Sequence, residues 1–135
     1  MEFNVTPEDL LRQKPVDPGW YPLECTSVTF EVTKGNDAKP SDGSMNAIIV
    51  FKALDGPPNV KGRTFKRYFN EKAMFFGNAL WATAFPGSYD KEKGGKMTTD
   101  MLKSLEGIKL SGYVKMDGKY PTIEDYRPLA QTVGA

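Results

Sequence analysis

The chain divides into five strand-like segments and one longer apolar helical segment, and their order is the strongest constraint on the fold. Gly, Pro, Asp and Asn clusters separate the segments, as turns between strands require. The predicted strands cover about 20–32, 45–54, 62–69, 108–116 and 120–126, and the predicted helix covers 71–85. Three strands, a helix and two strands follow one another in an OB-fold, a five-stranded Greek-key barrel. We therefore predict a mainly β domain that forms an OB-like barrel.

One domain accounts for the whole chain, because 135 residues that are 39% hydrophobic suffice for one compact core. We expect the barrel to span about 18–127. A short N-terminal helix is predicted before it, since Thr6 can cap a helix and Pro7 suits the first helical position. Pro15 ends that helix.

In the first strand, the apolar residues change from odd-numbered to even-numbered positions part-way along. Its apolar residues form two sets, which are Tyr21, Leu23 and Cys25, then Val28, Phe30 and Val32. A bulge near Thr26-Ser27 would let both sets face one core, as in a strand that curves around a barrel. The second strand has apolar residues on both of its faces, which predicts a central position in the sheet.

Cationic and aromatic residues alternate in the third strand, from Gly62 to Phe69. We expect Phe65 and Phe69 to point into the core, and the arginines to lie at the strand end or at a bulge. Asn70 can then cap the helix that follows.

The predicted helix is expected to bury its aromatic residues. Its apolar residues recur at helical spacing and include Met74, Phe75, Phe76, Leu80, Trp81 and Phe85. Core packing accounts for this pattern, so none of them is assigned to a ligand. Thr99 is expected to cap a second short helix that runs through Leu105. Asp117-Gly118 predicts a tight hairpin turn between the last two strands.

Charge is distributed unevenly, although the formal net charge is only +1. Residues 1–31 carry two cationic and six acidic side chains, whereas residues 61–119 carry twelve cationic and six acidic ones. This excess favours a polyanionic partner for the second half of the chain.

Several kinds of active site are disfavoured by composition. The chain has no histidine and a single cysteine, Cys25, which excludes Cys/His zinc sites, Ser/His or Cys/His nucleophile pairs and intramolecular disulfides. The acidic pairs Asp37 with Asp42, and Glu124 with Asp125, are better explained as solvated surface acids than as Mg²⁺ ligands. We expect a protein that is not an enzyme and needs no metal or cofactor.

The expected compartment is the cytoplasm. A single cysteine fits a reducing environment. The start of the chain lacks the basic and apolar regions of a signal peptide, and no apolar run is long enough for a bilayer. No membrane partner is expected.

A single-stranded nucleic acid site is predicted on the second and third strands. Lysine and arginine offset the phosphate charge, and an aromatic face can stack on any base. We expect Lys52, Arg63, Lys66 and Arg67 to contact phosphates, and Tyr68 to stack on a base. The predicted site also includes residues outside those two strands, which are Lys39 on the loop after the first strand, and Tyr113 and Lys115 on the fourth.

Short motifs along the chain resemble those of bacteriophage single-stranded DNA-binding proteins. The motifs are Pro18-Gly19-Trp20-Tyr21, Asp42-Gly43-Ser44, Val60-Lys61-Gly62-Arg63, Leu105-Glu106-Gly107 and Glu124-Asp125-Tyr126. The resemblance implies an OB-fold, DNA binding of low sequence specificity, and a role in phage replication or recombination. In the host cytoplasm, the expected protein partners are phage replication or recombination proteins and further copies of the chain. The end of the chain, 130–135, lacks the acidic residues through which many such proteins recruit partners.

The same barrel could instead be a structural or protein-interaction module of a virion that binds no nucleic acid. Titration with oligo-dT distinguishes the two functions, because only the first predicts binding.

Overall fold

A single antiparallel sheet dominates the computed structural model, which describes residues 2–7, 10, 14–35, 38, 40 and 42–129. The five strands are β1 (Gly19–Val32), β2 (Met45–Ala53), β3 (Thr64–Asn70), β4 (Lys109–Asp117) and β5 (Tyr120–Arg127). Their order in the sheet is β3-β2-β1-β4-β5. The predicted mainly β class is confirmed, and β2 has the predicted central position between β1 and β3. Among the described residues, no ladder pairs the edge strands β3 and β5, so hydrogen bonds do not close the sheet into a barrel.

The predicted bulge in β1 is confirmed. The register of β1 against β2 shifts between Cys25 and Ser27, and Leu23 and Val28 are buried on either side of the shift. The bulge therefore turns both apolar sets toward one core. The prediction that Val32 belongs to this core is wrong, because Val32 lies at the end of the strand, opposite the exposed Met45.

The predicted helix 71–85 is two shorter helices. A 3-10 helix (Glu71–Gly77) is followed directly by α1 (Asn78–Ala84). The predicted cap is confirmed, since the Oδ1 of Asn70 accepts a 2.9 Å hydrogen bond from the Lys72 amide. Non-helical angles at Ala73 interrupt the first turn. The segment therefore does not present the single continuous apolar face that its spacing predicted.

A third helix, α2 (Thr99–Lys103), precedes β4. Its cap is Thr98 and not the predicted Thr99, because the Oγ1 of Thr98 accepts from the Met101 amide. The helix also ends two residues before Leu105. The predicted hairpin turn between β4 and β5 is confirmed, and Gly118 there has a φ of 63°, which favours glycine.

In the predicted N-terminal helix, the Leu10 amide donates to the Thr6 carbonyl at 3.2 Å. Residues 8, 9 and 11–13 of that helix lie outside the described residues.

The core lies between the sheet and the helices. Trp81 of α1 is fully buried and packs edge-on against Phe69 of β3, with ring centroids 5.0 Å apart. Phe51 of β2 contributes a further fully buried ring, 5.8 Å from that of Tyr126 on β5. These aromatic contacts connect both edges of the sheet to one core.

Candidate nucleic-acid interface

Side chains of β3 alternate between the core and solvent. Phe65 and Phe69 are 3% and 2% exposed, as predicted, and Arg67 shares their parity. Lys66 and Tyr68 have the opposite parity and are exposed. Alternate residues of a strand point to opposite faces, so Lys66 and Tyr68 lie on the side of the sheet away from the core.

Pairing between β2 and β3 assembles one continuous surface. Tyr68 lies opposite Ile48, and Lys66 lies opposite Val50. Lys52 follows on the same parity of β2. We call the surface formed by Ile48, Val50, Lys52, Lys66 and Tyr68 the outer face. At one end of it, Tyr68 is 60% exposed, while Ile48 opposite it is buried. The outer face is thus an aromatic ring on an apolar base with lysines beside it.

The two lysines of the outer face have no ion-pair partner in the described part of the chain. Glu24 of β1 is the residue opposite Lys52 in the register, but no oxygen of it lies within salt-bridge distance of the lysine. Both ammonium groups therefore remain available to an anion.

Arg63 lies just before β3 and contacts the N-terminal segment instead of the outer face. Its Nη1 donates to the carbonyl of Lys14 at 2.8 Å and to that of Asn59 at 3.5 Å. Burial lowers the pKa of Arg63. These bonds link the segment before β1 to the turn before β3, which is a structural use of the guanidinium.

Arg67 lies in the middle of β3 on the core side, so the prediction that both arginines lie at a strand end or bulge is wrong for it. The guanidinium is 5.3 Å from the centre of the Phe69 ring, and its Nη1 donates to the Oγ1 of Thr122 on β5 at 3.0 Å. The guanidinium is accommodated on the core side of β3 because it reaches a hydrogen-bond acceptor on the other edge strand. Its Nε and the Tyr126 hydroxyl are buried without a hydrogen-bond partner among the described residues. Burial raises the pKa of Tyr126 to about 12.

Tyr113 and Lys115 lie on β4, which β1 separates from β2 and β3. The Tyr113 ring packs edge-on against Trp20, with centroids 5.6 Å apart. The Nζ of Lys115 forms a 2.9 Å ion pair with Glu124, and this bond raises the pKa of the lysine. The structure therefore does not bring these two residues together with the outer face, and both already have partners.

The loop between β1 and β2 is attached to the end of β3 by polar contacts. Asp42 accepts from the Ser44 hydroxyl at 2.5 Å and from the Ser44 amide at 2.9 Å, and forms a 2.9 Å ion pair with Lys72. These bonds hold the pKa of Asp42 well below its ordinary value. The Nδ2 of Asn70 donates to the Ser44 hydroxyl at 2.8 Å. Lys39, which was predicted to belong to the site, lies outside the described residues.

Phe75 and Phe76 are exposed, and the prediction that they pack into the core is wrong. Their side chains are 66% and 71% exposed, and their ring centroids are 4.4 Å apart. Three residues make one turn of a 3-10 helix, so Met74 and Gly77 face the core together while the two phenylalanines face away from it. Gly77 in the middle of the apolar segment was the sequence signal for this break.

A cavity of about 300 Å³ lies between the sheet and the helices and is mainly apolar. Its lining includes Phe30, Met45, Met74 and Met97, and the one charged side chain in that lining is Glu71. A cavity without a cationic group does not suit phosphate, which distinguishes it from the outer face.

The acidic residues considered as metal ligands have other partners where the structure describes them. Asp42 and Glu124 form the ion pairs given above, Asp125 accepts from the Tyr126 amide at 2.8 Å, and Asp37 lies outside the described residues. No cluster of three or more Asp, Glu or Cys residues that could hold a metal occurs among the residues described.

Cys25 is 1% exposed, and burial raises the pKa of its thiol to about 11. A protonated, inaccessible thiol is a poor nucleophile. Within the described ranges, no helix has both the length and the apolar character needed to cross a membrane.

In comparisons with known proteins, no family model, no curated protein and no solved structure matches this chain.

Proposed function

We propose that this protein binds single-stranded DNA with little sequence preference, on the outer face of β2 and β3. The observation that carries the proposal is that Tyr68 is 60% exposed, on the same face as two lysines without ion-pair partners in the described structure. Aromatic side chains usually bury a large apolar area in a folded protein. Here the ring is presented to solvent, in the environment that base stacking requires.

Each group of the outer face has a role in this proposal. Lys52 and Lys66 offset phosphate charge along the strand, and displacement of counterions contributes to affinity. Tyr68 stacks on a base of any identity, because every base has an aromatic face. Val50, which is partly exposed, provides an apolar contact beneath the bases. The binding is therefore expected to be sequence-tolerant.

The proposed site is smaller than the one predicted from sequence. Arg63, Arg67, Tyr113 and Lys115 are left out, because each already bonds or packs within the protein. Lys39 remains a predicted contact.

We further propose that the sheet belongs to an OB-like barrel with β3 and β5 side by side. The strand order β3-β2-β1-β4-β5 supports this, as does the hydrogen bond from Arg67 to Thr122 between the edge strands. OB-folds bind oligonucleotides on the surface of strands 2 and 3, which is the position of the outer face. A role in phage replication or recombination rests on the resemblance of the sequence motifs.

The test is an anisotropy titration of labelled oligo-dT with the wild-type protein and with Tyr68→Ala. We expect Tyr68→Ala to weaken binding by about 1–3 kcal/mol, the loss of one stacked base. Tyr68→Phe is the matched control, because it keeps the ring and should bind nearly as well as wild type. Equal binding by a folded Tyr68→Ala protein would remove Tyr68 from the site.

Competition with duplex DNA tests the strand preference. Paired and stacked bases do not offer their faces to Tyr68, so duplex at equal nucleotide concentration should compete poorly with oligo-dT. Equally strong competition would indicate a protein that follows the backbone of duplex DNA. If the wild-type protein bound neither, a structural or protein-interaction module of a virion would be the better proposal.

A further inference from the structure

We propose that Phe75 and Phe76, with the lysines of the loop 90–96, form a second contact surface for the same single strand. This inference rests on the proposed function and extends it beyond the outer face. The bases that leave the outer face at the end of β3 would stack on the two exposed rings. We call Phe75 and Phe76 the aromatic pair.

The aromatic pair is held in its exposed position by the packing beneath it. Gly77 is buried against Trp81, and a Cβ at Gly77 would overlap carbons of the Trp81 ring. The Nε1 of Trp81 donates to the carbonyl of Met74 at 2.7 Å. This contact and this bond fix the 3-10 helix on both sides of the pair. Because the backbone that carries the pair is fixed, ligand binding does not have to order it.

Exposed cations lie on the loop next to the aromatic pair. The Nδ2 of Asn78, two residues after Phe76, donates to the carbonyl of Lys91 at 2.8 Å, and its Oδ1 accepts from the Tyr89 hydroxyl at 2.6 Å. The loop is therefore attached at the end of the 3-10 helix. The exposed lysines of the loop, which have no ion pair among the described residues, are Lys91, Lys93 and Lys96.

The carboxylate of Asp90 does not offset these cations through an ion pair. Its Oδ1 accepts from the amides of Glu92 and Lys93, each at 2.8 Å, and it thereby shapes the turn of the loop. The loop thus offers more cationic than acidic side chains to a ligand. A phosphate backbone passing the aromatic pair would be attracted to it.

The aromatic pair continues from the outer face along the chain. Phe75 follows Tyr68 by seven residues, so their Cα atoms are at most roughly 25 Å apart. An oligonucleotide of modest length could therefore contact both surfaces.

Charge favours a nucleic acid over a second copy of this chain as the occupant. In a two-fold symmetric contact the same surface lies on both sides, so the lysines of the loop would face one another. Like charges opposite each other oppose association, whereas phosphates attract them.

The experiment compares oligo-dT of about 5 nucleotides, near the smallest site of one OB-fold, with oligo-dT of about 20 nucleotides, longer than the largest such site. The double variant Phe75→Ala/Phe76→Ala should bind the longer oligonucleotide at least about fivefold more weakly than wild type, the loss of one stacked base. The short oligonucleotide should bind with unchanged affinity on the outer face. Both substitutions remove exposed rings, so folding should be retained.

The matched control is Phe75→Leu/Phe76→Leu, which keeps the apolar surface but removes the rings. Stacking on bases predicts that the leucine variant binds the longer oligonucleotide as weakly as the alanine variant. Wild-type affinity in the leucine variant would overturn the proposal in favour of a general apolar contact. Sedimentation showing a wild-type dimer that both double variants dissociate would overturn it in favour of a second copy.

The outcome is distinguishable from failure of the proposed function. If Tyr68→Ala weakens binding of both lengths while the alanine double variant binds both like wild type, only the second contact surface is overturned. If wild-type protein binds neither length, the proposed function fails and this inference with it.

Discussion

Arg67 of β3 donates a 3.0 Å hydrogen bond from its Nη1 to the Oγ1 of Thr122 on β5. This bond joins the two edge strands of the sheet, between which the described structure has no backbone ladder. The guanidinium also lies 5.3 Å from the Phe69 ring. A cation placed on the core side of a strand is thus used to hold the edges of the sheet together.

Breaking this contact should destabilise the fold. Thr122→Val keeps the shape of the side chain but leaves the guanidinium without its acceptor. We expect a loss of about 1.5–3 kcal/mol in the free energy of unfolding, the range for hydrogen bonds to charged groups. Urea denaturation measures it. In the double variant Arg67→Met/Thr122→Val, the valine should cost little beyond the cost of Arg67→Met alone. Strict additivity of the two single effects would show that the bond contributes nothing.

Packing beneath the aromatic pair predicts a large effect for a small substitution. In Gly77→Ala the added methyl group would overlap the Trp81 ring and stand 2.8 Å from its Nε1. Overpacking of this kind typically costs about 1–3 kcal/mol, which thermal or urea unfolding would detect. Gly87→Ala is the matched control, because nothing lies within 4 Å of a Cβ there. Similar stability of the two variants would contradict the position of Gly77 against Trp81.

Acid should weaken the contact between β1 and the turn after α2. The Oε2 of Glu106 accepts from the Val28 amide and from the Nζ of Lys103, each at 3.0 Å. The hydrogen bond from the Val28 amide is the larger cause and that from Lys103 the smaller one, and together they lower the pKa of Glu106 from its ordinary value of 4.5. A carboxyl group whose pKa is lower in the folded than in the unfolded protein stabilises the fold when it is ionised. This stabilisation is complete at a pH above the unfolded-state pKa, and it is lost as the pH falls through the folded-state pKa.

Glu106→Gln should therefore reduce the melting temperature near pH 7, and the difference from wild type should shrink at about pH 3 and below. Glu92→Gln serves as the carboxylate-to-amide control, since no ion pair involves Glu92 within the described ranges. A difference that is the same at both pH values would exclude the carboxylate charge as its source.

Salt dependence should separate the lysines of the outer face from other lysines. For single strands, log K falls with log salt by roughly 0.7 for each phosphate contact. Lys52→Gln and Lys66→Gln should each make that slope shallower by about this amount. Lys115→Gln should leave it unchanged, because Lys115 is already paired with Glu124. Equal slopes for the wild-type protein and the three variants would remove both lysines from the site.

Local sequence rules predicted the strands well. Turn residues and alternating polarity defined all five strands, the hairpin turn at Gly118, and the burial of Phe65 and Phe69. The change of parity in β1 predicted the bulge after Cys25. Such features depend on neighbours in sequence, and the period of two is strict enough to assign a face to each residue.

The candidate site was predicted in part. The parity of β3 separates Lys66 and Tyr68 from the core, and that information is in the sequence. The sequence does not show whether a cationic side chain is free or bonded, because its partners lie far away along the chain. Arg63 bonds to Lys14, and Arg67 bonds to Thr122.

The sequence by itself determined the mainly β class, the strand boundaries to within a few residues and the alternation that exposes Tyr68. Only the tertiary structure decided that Phe75 and Phe76 face solvent and that Arg67 faces the core. Helical spacing cannot tell a 3-10 helix from an α-helix, and the contact of Gly77 with Trp81 shows which side is buried. Local pattern gives the direction of a side chain relative to its own element, whereas its burial depends on which other element packs there.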